Sequence, residues 1–226
     1  LRCKWCHNPE GLSPAPQKNL AMGRIVGREW EVDALVVKLL VFRDLFLLSG
    51  GGVTFSGGEA TAQSAFLIAV ASALRTEGVH VNLDTSGHCP TETFREILQN
   101  VDLVYYDLKC MDSALHKQVI GVPNELILDN ARKIAQHGGK MQIRIPTIPM
   151  FNDSVNSYRA FGEVILALGD AVETVQLLPY HNLGVVKWER LGREGPVLEA
   201  TPPTEEKMQE LKKLLEDMGV KNVVIH

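Results

Sequence analysis

Short apolar stretches alternate with longer amphipathic ones along most of the chain. The short stretches are rich in Val, Ile, Leu and Tyr and have the length of strands, whereas the long ones repeat apolar residues at helical spacing. We predict strands over residues 53–55, 79–83, 102–106, 141–145, 172–178 and 220–225. We predict helices over residues 31–48, 61–77, 91–99, 113–120, 125–137, 155–168 and 204–218. This alternation indicates a parallel sheet built from right-handed crossovers.

The alternating pattern fits one α/β domain that spans residues 1–226. The helix over 31–48 has no predicted strand before it, and the chain starts with Leu rather than Met, so we expect a first strand that precedes Leu1. The expected fold is a barrel-like arrangement of about six β/α units, open on one side. We also expect helix 31–48 to bury a broad apolar face, the Pro- and Gly-rich residues 8–28 to form a loop, and residues 182–203 to be irregular.

Charge and hydropathy exclude several classes of partner. The formal net charge is -4, which gives no electrostatic reason for binding to nucleic acid or to an anionic membrane. The longest apolar run, residues 34–48, is too short to cross a bilayer and is interrupted by Lys38, Arg43 and Asp44. No signal peptide is visible. We therefore expect a cytoplasmic protein.

The four cysteines fall into two groups. Cys3 and Cys6 stand at C-x-x-C spacing, which lets both thiolates reach one metal centre. This spacing alone fits zinc, an iron–sulfur cluster or a thiol–disulfide couple, and we favour a metal. Cys89 and Cys110 stand alone, so we expect them to be small buried hydrophobic residues.

Polar groups or glycines follow five consecutive predicted strands. They are Ser56, Gly57, Gly58, Glu59, Asp84, Thr85, Asp107, Lys109, Arg144, Tyr180 and His181. The carboxyl ends of parallel strands meet at one edge of a sheet, which is where α/β proteins carry their active sites. Taken singly, each residue has a simpler explanation, such as a tight turn, a cap or a solvated charge. Together, five such strand ends favour a binding site.

The chemistry of these groups indicates the kind of ligand. The two glycines let the backbone approach a ligand closely. Glu59 and Asp84 can accept hydrogen bonds from an ammonium or hydroxyl group, and Lys109 and Arg144 can hold a carboxylate. His181 can donate or accept a hydrogen bond near a ribose or a base. A ligand with an amino group, a carboxylate and ribose hydroxyls suits this set.

Six segments carry a resemblance to a known family. They are Cys3-Lys-Trp-Cys-His-Asn8, Ser49-Gly-Gly-Gly-Val-Thr-Phe-Ser-Gly-Gly-Glu59, Leu83-Asp-Thr-Ser-Gly87, Asp107-Leu-Lys109, Ile143-Arg144 and Leu177-Leu-Pro-Tyr-His181. In this order, over essentially the whole chain, they resemble the radical S-adenosylmethionine (SAM) enzymes. More narrowly, they are similar to the glycyl-radical-enzyme activating enzymes of the pyruvate formate-lyase activase type. The Ser49–Glu59 segment is highly specific to that group.

The resemblance implies a partial (β/α)6 barrel and an oxidoreductase that works without oxygen. It implies a [4Fe–4S] cluster held by C-x3-C-x2-C, in which Cys3 and Cys6 match the second and third cysteines. The first is expected two positions before Leu1, so the chain as printed is not expected to complete the cluster. Reductive cleavage of SAM at the cluster would give a 5′-deoxyadenosyl radical. That radical would remove a hydrogen atom from a backbone glycine of the partner, a glycyl radical enzyme, with a flavodoxin or ferredoxin as electron donor.

The same resemblance implies roles for the strand-end residues. The segment Ser56, Gly57, Gly58 and Glu59 would lie at the methionyl amino group of SAM. Asp84, Lys109, Arg144 and His181 would complete the SAM site, the last three of them at the carboxylate and ribose. A monovalent cation beside SAM would be bound by Asp84, Thr85 and Asp107. Trp5 and His7 would pack around the cluster and shield it.

Two departures and two alternatives accompany this interpretation. Pro149-Met150 stands where the family often has Pro-Gly, so the sequence does not establish a glycine-dependent turn there. Residues 8–28 contain no cysteine, whereas many related activases carry a cysteine-rich ferredoxin-like insert after the first motif, which leaves the partner's identity open. The alternatives are a radical SAM enzyme with a small-molecule substrate and a non-enzymatic zinc module built on Cys3, Cys6 and His7.

Overall fold

The computed structural model describes residues 1–20, 23–192 and 200–226. The described strands are β1 (Gln17–Asn19), β2 (Arg24–Val26), β3 (Gly52–Phe55), β4 (His80–Thr85), β5 (Leu103–Asp107), β6 (Met141–Thr147), β7 (Val172–Pro179) and β8 (Val223–Ile225). The described α-helices are α1 (Val32–Leu40), α2 (Arg43–Ser49), α3 (Ser64–Thr76), α4 (Thr91–Leu98), α5 (Ser113–Ile120), α6 (Glu125–Gln136), α7 (Val155–Leu168), α8 (Leu183–Arg190) and α9 (Glu205–Asp217). Among them, no helix has both the length and the apolar character needed to cross a membrane.

Within the described residues, β3 to β8 form one sheet whose strand order follows the chain. Every neighbouring pair is parallel, which confirms the predicted α/β class and all six predicted strands. Strands β3 and β8 lie at opposite edges, so the sheet is open, as a partial barrel requires. The register places Asp84 beside Tyr105 and Asp107 beside Arg144. The polar carboxyl ends of β4, β5 and β6 are therefore aligned.

A continuous apolar core lies between this sheet and its helices. Its largest fully buried side chains include Phe94, Tyr106, Tyr158 and Phe161. The hydroxyl of Tyr106 donates to the carbonyl of Ile127 at 2.5 Å. Gly87, with φ of +72°, packs so closely on Tyr106 that a Cβ would lie 1.8 Å from the hydroxyl oxygen. A glycine at this position thus holds the turn after β4 against β5.

The prediction of one long buried helix over 31–48 is wrong. The segment forms two helices, α1 and α2. The first helix ends because the N–H of Phe42 bonds to the carbonyl of Leu39, three residues back, whereas an α-helix bonds four residues back. Every residue of both helices is at least partly exposed, and Leu48 is 88% exposed. Other apolar residues, such as Leu35, still pack in part against the main core. The apolar periodicity therefore marked two partly covered helices.

Two segments predicted to be irregular contain regular structure. Within residues 8–28, Pro9–Leu12 forms a 3₁₀ helix and β1 pairs with β2 as an antiparallel hairpin. Residues 21–22 of that segment lie outside the described residues. The stretch over 182–203 contains helix α8, and its residues 193–199 also lie outside the described part. Leu183 and Val186 of α8 are 68% and 45% exposed, so these two residues do not form a buried apolar face that the sequence pattern could reveal.

Met150 is predicted to destabilise its turn. Its φ of 62° lies in the left-handed region, and its side chain is 84% exposed. A left-handed backbone conformation costs a residue with a side chain about 1–2 kcal/mol. Replacement by glycine removes this cost, but glycine loses more conformational entropy on folding, which offsets part of the gain. We expect Met150→Gly to raise the free energy of unfolding, measured in urea, by about 0.5–1 kcal/mol.

The matched control is Asn222→Gly. Asn222 is the other described non-glycine residue with positive φ, 53°, but Asn tolerates this region and its Nδ2 donates to the carbonyl of Glu173 at 2.9 Å. We expect no gain from that change. A Met150→Gly variant no more stable than the parent would contradict the assignment of strain.

Candidate active site

A cavity of about 440 Å³ opens at the carboxyl ends of the strands, beside the N-terminal loop. Its walls bring together every predicted site residue except Glu59. These residues are Cys3, Cys6, Ser56, Gly57, Gly58, Asp84, Thr85, Asp107, Lys109, Arg144 and His181. Their meeting place follows from the parallel sheet, because β3 to β7 all deliver their carboxyl ends to the same edge.

Four charged side chains form a network on the wall of this cavity. The guanidinium of Arg144 lies between two carboxylates: its Nη2 donates to Asp84 Oδ1, and its Nε donates to Asp107 Oδ1 at 2.9 Å. Lys109 Nζ donates to the other oxygen of Asp107 at 2.7 Å. The side chains are only 12–19% exposed. Two acids and two bases thus neutralise one another where all four side chains are mostly buried.

The two acids differ in electrostatic environment. Burial raises the pKa of Asp84, because Arg144 offsets only part of the lost solvation. Burial also opposes ionisation of Asp107, but the charges of Lys109 and Arg144 outweigh it and hold the pKa of Asp107 below its usual range. Burial likewise opposes the charge of Lys109, yet Asp107 raises the pKa of the ammonium overall. Asp107 is therefore the firmly ionised anchor of the network.

The carboxylate of Glu59 is hydrogen-bonded to other residues of the chain. Its carboxylate accepts hydrogen bonds from the backbone and hydroxyl of Thr61, from the hydroxyl of Thr85 at 2.6 Å, and from the backbone and hydroxyl of Ser86. It also stands outside the described wall of the cavity. The contact of Glu59 with a ligand therefore stays a prediction. In this structure its hydrogen bonds to Thr85 and Ser86 connect the turn after β3 to the end of β4.

Gly58 is required by a close approach of two backbone segments. A Cβ on Gly58 would lie 2.0 Å from the carbonyl oxygen of Gly11, and a Cβ on Gly11 would lie 2.6 Å from the nitrogen of Gly58. The segment Pro9–Leu12 is thereby seated against the turn after β3. Gly57, in contrast, has open space around its Cβ position and a φ of +129°. The glycine pair serves chain packing as well as access to the cavity.

Cys3 and Cys6 lie in one N-terminal segment that faces the cavity, residues 1–10, which we call the cysteine loop. Backbone bonds from Arg2 to Ile120 and from Lys4 to Val119, at 2.9 and 3.2 Å, fasten this loop to the end of α5. Both thiols are free, and burial raises the pKa of each. Two thiols on one loop are the soft ligands that an iron–sulfur cluster takes.

The remaining cysteines lie elsewhere. Cys89 and Cys110 are 3% and 5% exposed, which confirms the prediction that they are small buried residues. Within the residues that the structure describes, no group of three or more His, Cys, Asp or Glu side chains is placed to hold a metal ion. Of the described residues, only Cys3 and Cys6 therefore combine thiol chemistry with access to the cavity.

The predicted cation ligands are held by other partners in this structure. Asp84 and Asp107 face each other across the guanidinium of Arg144, so a positive charge of the protein already occupies the position between them. The hydroxyl of Thr85 donates to Glu59 and accepts from the N–H of Gly87 at 3.0 Å. The prediction of a monovalent cation site is left untested by this arrangement.

Helix α8 contributes contacts that the sequence did not predict. Trp188 and Lys187 reach the cysteine loop, and His7 stacks on the ring of His181 with centroids 4.0 Å apart. The rings of Trp5 and Phe151 lie 4.8 Å apart between centroids, and the expected role of Trp5 in shielding the cluster stays a prediction. The only sequence signal for this region was the Leu177–His181 segment, which ends just before the helix begins.

Comparisons with known proteins agree on one family. A model of the Radical SAM superfamily matches residues 1–159. Pyruvate formate-lyase 1-activating enzyme of Escherichia coli (strain K12) is 35% identical over 223 residues, which cover 98% of this chain and 86% of that protein. Pyruvate formate-lyase-activating enzyme of Staphylococcus aureus (strain USA300) is 36% identical over 212 residues, which cover 91% of this chain and 80% of that protein.

A solved structure supports the same relationship. The crystal structure of a domain of pyruvate-formate lyase-activating enzyme from Bacteroides vulgatus superposes with a TM-score of 0.67 at 34% identity. The match covers 78% of this chain and 99% of that one. The similarity therefore extends to the three-dimensional arrangement of the sheet and its helices.

The charged network predicts a large effect of removing its central cation. Arg144→Met leaves Asp84 without its cation and Asp107 with Lys109 alone, in a site that is mostly buried. We expect a loss of about 2–3 kcal/mol in the free energy of unfolding, partly recovered when Asp84→Asn is added. The control is Arg95→Met, since Arg95 pairs with Glu92 at the surface, where the side chains are 62% and 76% exposed. Equal, small effects of the two arginine changes would contradict the proposed importance of the network.

Proposed function

Because the chain belongs to the radical SAM superfamily, among the relatives of the pyruvate formate-lyase activating enzymes, we propose that it activates a glycyl radical enzyme of the pyruvate formate-lyase type. The observation that carries the proposal is the cavity, which unites the cysteine loop with five strand ends. Residues 1–226 are proposed to act as one domain, supported by the single main core that runs from α3 to β8.

The proposed cofactors are a [4Fe–4S] cluster and SAM. Cys3 and Cys6 would supply two thiolates to the cluster, a role supported by their access to the cavity. When bound, the two cofactors together supply the reductive cleavage of SAM and the radical that removes hydrogen from a glycine of the partner. The protein's own task is to bind, orient and shield them.

The charged network suits a ligand that carries both an amino group and a carboxylate. The hydrogen bonds to Asp84 and Asp107 use only some of the N–H groups of Arg144 and Lys109. The remaining N–H groups can donate to a ligand carboxylate while both side chains stay bonded to Asp107. We propose that these two bases hold the carboxylate of SAM and that His181 lies at its ribose. The turn of Ser56, Gly57, Gly58 and Glu59 is proposed at the methionyl amino group, with Asp84 beside it.

A monovalent cation beside SAM at Asp84, Thr85 and Asp107 remains part of the proposal. It is supported by two acids that approach one another across neighbouring strands. Arg144 lies between these acids, so a cation there would have to share the carboxylates with the guanidinium or displace it. A guanidinium that turned from the acids toward the ligand would make room for the cation.

The partner and the electron donor complete the proposal. A protein substrate must present a glycine within the cavity, and the open sheet leaves room for a loop of another chain. The electron is proposed to come from a flavodoxin or ferredoxin in the cytoplasm. Neither nucleic acid nor a membrane is proposed as a partner, consistent with the net charge of -4.

The direct test is activation of pyruvate formate-lyase without oxygen. We expect the reconstituted protein, supplied with the third cluster cysteine expected before Leu1, to bind about four irons with sulfide. With SAM and a reductant, it should release 5′-deoxyadenosine and produce a glycyl radical on the partner, seen as an electron paramagnetic resonance (EPR) doublet. The doublet should collapse when the partner is labelled with glycine deuterated at Cα.

Two cysteine variants sharpen this test. Cys6→Ala should abolish iron binding and the radical, whereas Cys110→Ala, which changes a buried cysteine outside the cavity wall, should keep both. Release of 5′-deoxyadenosine with no radical on any glycyl radical enzyme would favour a small-molecule substrate. Zinc in place of iron would overturn the proposed function.

A further inference from the structure

Helix α8 is pinned to the cysteine loop by hydrogen bonds from two of its side chains. The indole Nε1 of Trp188 donates to the carbonyl of Cys6 at 3.1 Å. Lys187 Nζ donates to Asn8 Oδ1 at 2.9 Å and to Glu10 Oε1 at 3.2 Å. These bonds join residues about 180 positions apart in the chain, and they converge on the residues that directly follow the C-x-x-C pair.

Close packing accompanies the hydrogen bonds. Gly184 lies so near the loop that a Cβ would stand 2.8 Å from His7 Cδ2 and 3.1 Å from the carbonyl oxygen of Cys6. In the tautomer protonated at Nε2, His7 donates to the carbonyl of His181 at 2.9 Å, and the two imidazole rings stack. The segment from His181 to Trp188 therefore contacts both Cys6 and the residue after it.

The bond from Trp188 acts on the peptide unit that follows Cys6. Because a peptide unit is planar, fixing its carbonyl oxygen fixes the orientation of the whole unit and limits the directions in which the Cys6 side chain can point. The N–H of Cys6 bonds to the carbonyl of Cys3 at 3.1 Å, so both peptide units of Cys6 are anchored. Such an anchor limits the positions that the thiol of Cys6 can take relative to that of Cys3.

The contacts of α8 with the loop contrast with its weak contribution to the core. Leu183 and Val186 are largely exposed, and the helix supplies no member of the described core clusters. Its described contacts are instead with the N-terminal part of the chain: Lys187 and Trp188 donate to residues 6–10, Gly184 packs on His7, and the carbonyl of Arg190 accepts from the N–H of Leu20. Removing one of these bonds should thus affect the loop more than the stability of the fold.

We propose that Trp188 is a positioning residue for the iron–sulfur cluster: its indole N–H holds the Cys6 peptide so that the Cys6 thiolate stays aligned with Cys3, and Lys187 reinforces the same loop. The inference rests on the proposed function, since it concerns the cluster that Cys3 and Cys6 would bind. It assigns a role to a helix that lies outside the strand ends and outside the cysteine motif.

The test is Trp188→Phe, which removes the N–H donor and keeps an aromatic ring. Removing a supporting bond of a metal ligand typically lowers metal affinity about ten- to hundredfold. Taking the lower end of that range as faster dissociation, we expect the reconstituted variant to lose iron to a chelator about tenfold faster than the parent. The EPR spectrum of its reduced cluster should also change. The unfolding midpoint of the iron-free protein should stay at the parent value. Lys187→Met should give a smaller acceleration of iron loss.

The matched control is Trp30→Phe. Trp30 packs under Arg28 and Lys38, whose charges lie 4.1 and 4.9 Å from its ring centroid, and it stands outside the cavity wall. This variant should release iron and give an EPR spectrum as the parent does.

Distinct outcomes would overturn the inference. Iron release and an EPR spectrum in Trp188→Phe equal to those of Trp30→Phe would show that the indole N–H does not position the cluster. A fall in the iron-free unfolding midpoint that parallels faster iron loss would show a structural role only. A parent protein that takes up no iron would overturn the proposed function, and this inference with it.

Discussion

The bridge from Arg144 to two carboxylates is the interaction on which the site depends most. Asp84, Asp107 and Arg144 come from the ends of three neighbouring strands. Asp107 lies opposite Arg144, and Asp84 lies opposite Tyr105, two residues earlier on β5, where the long side chain of Arg144 still reaches it. Each charge alone would be costly in a cavity wall where these side chains are 14–19% exposed. Paired, they link the ends of β4, β5 and β6, and the remaining N–H groups of Arg144 and Lys109 can still donate to a ligand carboxylate.

Two further constraints position the rest of the cavity around this bridge. Glu59 draws the ends of β3 and β4 together, and the glycine contact at Gly58 seats Pro9–Leu12 against them. The cysteine loop is then held from two sides, by the end of α5 through backbone bonds and by α8 through Trp188. The thiols and the charged network thus face one cavity because separate parts of the chain hold the loop and the strand ends in place.

The sheet and the residues that form the site could be predicted from sequence because both follow from local patterns. Apolar runs marked all six strands, and the parallel order placed their polar ends at one edge. The bonding partners of each polar group could not be predicted, because they depend on distances between strands. Glu59 bonds to Thr85 and Ser86, and Arg144 bonds to Asp84 and Asp107. Helix α8 was missed because Leu183 and Val186 are exposed and because Trp188 bonds to a loop distant in sequence.

We infer that this cavity is the cofactor site of a radical SAM activating enzyme. The most direct test is a crystal structure of the anaerobically reconstituted protein with SAM. We expect iron bound to Cys3 and Cys6, and SAM in the cavity with its carboxylate on Lys109 or Arg144 and its ribose near His181. SAM bound elsewhere, or SAM in the cavity while both bases contact only Asp84 and Asp107, would contradict this inference.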